Sequence, residues 1–119
     1  MPWAYEVITE LMKKYNIKIV SHGYSPNLIQ KKKWVNSHLP GIEFIGVNWK
    51  EYSDKSHIDM SDGIFFDDSA KNLENSNAKE VICFGDVYSW NNYWNGKRIS
   101  NWIDLQEYLL GYRKIYLKF

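Results

Sequence analysis

The sequence holds a single cysteine, Cys83, so it closes no internal disulfide, and such usage fits a reducing compartment. It lacks any apolar run near the ~20 residues that span a bilayer, and it shows no signal peptide. An excess of one charge is missing too. Fifteen basic against 14 acidic side chains leave a net charge of +1, too little to argue for nucleic acid or an anionic membrane. His22, His38 and His57 stand at no metal-ligand spacing with one another or with Cys83, which argues against a zinc site. Ser21-His22 has no Gly-x-Ser-x-Gly elbow around it, so a serine hydrolase reading fails. Internal repeats and low-complexity segments are absent. The expectation is a soluble, cytoplasmic protein with neither nucleic acid nor membrane as a partner.

What is present describes ordinary globular material. The 119 residues, 45% hydrophobic and 24% charged, are read as one domain over 1–119. Aromatic residues reach 17%, with six Trp and nine Tyr, concentrated after residue 80. The most informative stretch is Asp62-Gly63-Ile64-Phe65-Phe66-Asp67-Asp68-Ser69. Its apolar run reads as a short strand buried on both faces, the kind found inside a parallel sheet. Two carboxylates at its C-terminal end, followed by a Ser that can cap a helix, lie where α/β sheets bind ligands. Carboxylates there also suit a hard cation such as Mg2+. The plainer alternative is a capping Asp beside a solvated one.

Around that stretch the elements alternate. Ala4, Val7, Ile8, Leu11 and Tyr15 form one apolar helical stripe that Asn16 ends, and Ile17–Val20 is a β-branched strand stopping at Ser21-His22-Gly23. Ser25-Pro26 opens a second helix with Ser25 as its cap, and Leu39-Pro40-Gly41 breaks it. Residues 42–47 read as a strand and 48–61 as a long connection, often functional in a small domain. Ala70 to Asn77 form a short helix and Glu80–Gly85 a buried strand. The segment from Tyr88 to Arg98 is turn-rich and aromatic. Its aromatics could stack a base, though such residues more often fill a core or cover a sheet edge. Asn101 caps a last helix, with Asp104 as a capping-box partner. Trp102, Leu105, Leu109 and Tyr112 are its buried side, and Gly111 marks its end. Residues 112–119 are left as a strand or a packed tail. The order predicts an α/β fold with a short parallel sheet covered by helices.

Several pieces in this order resemble the haloacid-dehalogenase-like phosphatases, and most closely the 5'(3')-deoxyribonucleotidase branch with its phage and bacterial relatives. They are Ile17–Ser21, Lys31-Lys32-Lys33-Trp34, Lys55-Ser56-His57-Ile58-Asp59, Ile64–Asp68 with Asn72-Leu73, and Trp90-Asn91 through Arg98-Ile99 to Trp102. The resemblance implies a Rossmann-like three-layer domain, truncated at its N-terminus. It implies a phosphate or nucleotide ligand met by Ser21, His22, Lys31 and Lys55, with Ser21, Lys31 and Lys55 as the catalytic set. Lys55 is preferred to Lys50 as the second lysine. Asp67 and Asp68 would be the Mg2+ ligands, holding it weakly or not at all in the isolated chain. Such roles suit phosphoryl transfer, which is mostly positioning and neutralisation of charge on oxygens.

The family opens on a strand bearing Asp-x-Asp, whose first Asp is the nucleophile, and this sequence contains no Asp-x-Asp. A carboxylate nucleophile has no substitute among binding residues. The expectation is half of a split phosphatase, inactive alone, completed by a second polypeptide that supplies the Asp-x-Asp strand and the cap. The alternative is a non-catalytic phosphate-binding or interaction module, as a homo-oligomer. In either case the sheet is expected to miss its central strand and expose an edge.

Overall fold

The computed structural model of the chain describes residues 4–109 and 114–118. Ile64–Asp67 forms strand β3, and all of its positions are buried. Ile64 and Phe66 enter one apolar cluster while Phe65 enters another, so successive side chains face opposite sides of the sheet. Burial of each ring is worth about 2 kcal/mol relative to exposure.

The other elements are helix α1 (Ala4–Leu11), strand β1 (Asn16–Gly23), α2 (Ser25–His38) and β2 (Glu43–Asn48), all before β3. After it come α3 (Ala70–Glu74), β4 (Glu80–Phe84), β5 (Arg98–Ile99), α4 (Trp102–Tyr108) and β6 (Lys114–Lys118). The strands make one six-stranded sheet in the order β2-β1-β6-β3-β4-β5, with every pairing parallel. On one face Val7, Ile8 and Leu11 of α1 and Trp102 and Leu105 of α4 pack over Ile19, Phe66 and Leu117. The Tyr15 hydroxyl donates to the Leu109 carbonyl and ties the two helix ends together. On the other face Met60, from the long connection, and Leu73 of α3 cover Val20, Phe65, Cys83 and Tyr116. Helices and loops on both faces of a parallel sheet make the three-layer arrangement that the element order implies.

The central strand is not missing. β6 lies between β1 and β3, pairing Ile17 with Ile115 and Val20 with Lys118 on one side, and Ile64 with Ile115 and Phe66 with Leu117 on the other. Residues 115–117 are apolar or aromatic and wholly buried, so the gap expected in mid-sheet is closed by the chain's own last described strand.

Smaller differences have local causes. α1 ends at Leu11, and residues 12–14 continue as turn, with the Tyr15 N–H still returning to the Leu11 carbonyl. Tyr24, not Ser25, precedes α2 in extended backbone. Ser25 is already helical, with Pro26 after it, so its hydroxyl does not stand where a cap would. α3 stops at Glu74, short of Asn77, where Asn75 closes it with its N–H on Lys71 and Leu73 carbonyls. Arg98, read as the end of a turn-rich segment, joins Ile99 to pair with Cys83-Phe84 as an edge strand. The other two predicted side-chain caps are present: Ser69 accepts from the Asn72 N–H, and Asn101 exchanges hydrogen bonds with Asp104. Gly111 and Tyr112 lie outside the described residues.

Candidate functional site

The C-terminal ends of β1, β6 and β3 bring together Ser21, Lys118 and the Asp67-Asp68 pair. Helix α2 contributes Lys31, whose ammonium donates to Ser21 Oγ at 3.1 Å. The long connection contributes Lys55, whose ammonium donates to Asp67 Oδ2 at 2.6 Å and to the Val20 carbonyl at 2.9 Å. Lys55 is therefore the lysine that the 48–61 segment delivers to the strand ends. Lys50 instead lies over the Tyr24 and Trp49 rings, 5.7 and 6.0 Å from their centroids.

Asp67 is fixed on every side. Besides Lys55, the Asn72 amide donates to its Oδ2 at 3.2 Å and the Ser69 N–H to its Oδ1 at 2.9 Å. Burial pushes the Asp67 carboxyl upward and the Lys55 ammonium downward, each opposed by the partner's charge. Asp68 is more open. Its Oδ1 lies 3.3 Å from the Lys118 ammonium, and the Trp90 indole N–H donates to its Oδ2 at 3.3 Å. Burial alone would raise this carboxyl, yet Lys118 and the surrounding donors hold it below the usual range. Desolvation, with the nearby Lys118 charge, keeps Lys31 below the ordinary lysine value.

Asn91 supports this end of the site from beneath. It is fully buried, and its amide donates to the Asp68 carbonyl at 2.8 Å and the Asp86 carbonyl at 3.2 Å, while its Oδ1 accepts from the Tyr88 N–H at 2.9 Å. The aromatic segment thus divides its labour. Trp102 fills the core, and Trp90, stacked on Tyr88 with centroids 4.5 Å apart, stays half exposed at the rim. A cavity of about 640 Å³ opens there, walled by Trp34, Phe84, Tyr88 and Trp102 and bordered by Asp68 and Lys118.

His22 is not brought into the cluster by any hydrogen bond described. Its Nε2 donates to the Tyr52 carbonyl at 2.8 Å, and the Tyr52 ring stacks on His57 at 3.7 Å, so it anchors the long connection instead. Cys83 is buried, and desolvation pushes its thiol upward, as befits a small apolar core residue.

Lys118 has no counterpart in the sequence reading. The signal was the alternating Ile115-Tyr116-Leu117 run, but only the sheet order reveals which residues flank its end. Asn72 and Asn91 were legible as motif pieces without roles.

Mg2+ needs oxygen ligands that are free to turn towards it. Among the described residues no group of three or more His, Cys, Asp or Glu could hold a metal ion. Both oxygens of Asp67 and both of Asp68 already accept hydrogen bonds or face an ammonium. The donor set as folded does not fit Mg2+.

A family model described as "5' nucleotidase, deoxy (Pyrimidine), cytosolic type C protein" matches residues 1–115. No curated protein and no solved structure matches the chain.

Proposed function

This chain belongs to the cytosolic type C 5'-nucleotidase (deoxy, pyrimidine) family, and from that membership we propose that it binds the phosphate of a nucleotide-like phosphomonoester without hydrolysing it unaided. The observation that carries the reading is the charge balance at the strand ends. Lys55 pairs with Asp67 and Lys118 with Asp68, while the Lys31 ammonium donates to the Ser21 hydroxyl and so stands ready for an anion. Ser21 and Lys31 offer a hydroxyl and an ammonium side by side, a pairing suited to phosphate oxygens. Lys55, held by Asp67 and the Val20 carbonyl, braces the strand ends instead of meeting ligand.

Turnover needs an attacking carboxylate, and the sequence has no Asp-x-Asp to supply it. In calorimetry, inorganic phosphate and deoxynucleoside monophosphates are expected to bind, Lys31→Ala to weaken them about tenfold, and no phosphate release to follow. Release by a clean preparation that disappears in Asp67→Asn would sink the non-hydrolytic reading.

A second reading, in which another polypeptide supplies the carboxylate and the cap, draws support from the half-exposed Trp34, Tyr88 and Trp90 beside the strand ends. Such a partner would have to dock over these ends, because β6 holds the middle of the sheet. Activity appearing only when an Asp-x-Asp-bearing polypeptide is added would favour it. Residence in the cytoplasm, in keeping with the family's description, belongs to the same proposal. Among the described residues no helix is long and apolar enough to cross a membrane.

A further inference from the structure

We propose that the Lys118 ammonium takes the place of a divalent cation at this site, so that phosphate is bound without metal and directly by Lys118. The inference rests on the phosphate-binding reading above and adds what neutralises the ligand.

Three observations carry it. Lys118 is the residue at the end of the central strand, paired with Val20 beside Ser21 on one side and following Leu117, the partner of Phe66, on the other. It therefore stands between the Ser21–Lys31 pair and the twin acids. Its side chain is 43% exposed while the facing Asp68 side chain is 23% exposed, and they meet at 3.3 Å. An ion pair so open to water is weak and readily exchanged. A phosphate oxygen arriving beside Lys31 can take the Lys118 ammonium by a small swing of its flexible stem.

A metal ion gains less. At Asp67 it would have to displace Lys55, Asn72 and the Ser69 N–H from a sealed carboxylate, and at Asp68, where Lys118 exchanges easily, it would find a single carboxylate. Mg2+ dehydrates reluctantly and gains no unmatched negative charge here, since each carboxylate already faces an ammonium. Desolvation first and the Lys118 charge after it hold Lys31 below the ordinary lysine value, and a bound dianion between the two ammoniums would relieve their repulsion.

The test is calorimetric titration of the full chain with inorganic phosphate in EDTA and again in excess Mg2+, beside Mn2+ titration followed by electron paramagnetic resonance. Phosphate affinity is expected to be the same within about twofold in both buffers, with no protein-bound Mn2+ signal. Lys118→Gln should weaken phosphate about tenfold and Lys118→Arg should largely keep it. The melting curve of each variant shows that the strand is intact. Phosphate binding seen only with Mg2+, a Mn2+ signal lost in Asp68→Asn, or unchanged affinity in Lys118→Gln would each overturn the inference and leave the phosphate-binding reading standing. No phosphate binding in either buffer would overturn both.

Discussion

Asp67 and Asp68 are adjacent in sequence and each faces a lysine, yet one pair is sealed in the protein and the other is open to water. The Lys55 and Asp67 side chains are 1% and 0% exposed and meet at 2.6 Å. Those of Lys118 and Asp68 keep 43% and 23% of their exposure and meet at 3.3 Å. In the sealed pair each charge has nowhere else to go, and further donors and acceptors saturate both. Losing one partner there strands a charge away from water, so the pair acts as a brace. In the open pair, water or a ligand replaces either partner at small cost. One motif thus supplies a rigid group and an exchangeable one from consecutive residues, because successive backbone positions face differently at a strand end.

The largest effect should come from breaking the sealed pair. Lys55→Met leaves Asp67 uncompensated and is expected to cost about 3–5 kcal/mol in urea unfolding. Pairing it with Asp67→Leu should return most of that loss. If the double variant is no more stable than the single one, the brace interpretation fails. Next comes the support beneath the open pair. Asn91→Ala removes the donor to the Asp68 and Asp86 carbonyls and should cost about 2 kcal/mol, with a change in Trp90 fluorescence.

A third contrast involves a hydroxyl–carboxylate contact elsewhere on β6. The Tyr116 hydroxyl donates to Asp62 at 2.9 Å, and burial together with that carboxylate pushes its pKa from 10.0 up to about 12. A raised folded value means the unfolded chain releases this proton first as pH climbs. The contribution is therefore whole below pH 10 and is lost towards about pH 12. Thermal midpoints taken at pH 9 and pH 11 should diverge less in Tyr116→Phe than in the parent. The smallest effect belongs to the open pair: Lys118→Gln should change stability by under about 1 kcal/mol, and less in high salt. A cost matching that of Lys55→Met would erase the distinction between the pairs.

The fold was readable where local chemistry decided it. Ile64-Phe65-Phe66 announced a doubly buried strand, and Ser69 and Asn101 announced helix starts through side chains that act within three residues. Lys31, Lys55 and Asp67 were named because motif order reports on strand ends. Lys118 escaped because its importance depends on β6 lying between β1 and β3, which is a pairing across about a hundred residues of sequence and leaves no local trace. Arg98-Ile99 escaped for a related reason, since so short a strand exists only by virtue of its neighbour Cys83-Phe84. His22 was grouped with the phosphate contacts through the family resemblance, whereas alternation along β1 sends it to the Tyr52 carbonyl.

The placement of β6 also dictates the timing of folding. During synthesis β1, β2, β3, β4 and β5 all leave the ribosome before the strand that joins β1 to β3, so two half-sheets must wait side by side with bare inner edges. Until residue 118 emerges, both inner edges of the nascent sheet stay unpaired, so a truncation within β6 is expected to aggregate instead of merely losing a tail.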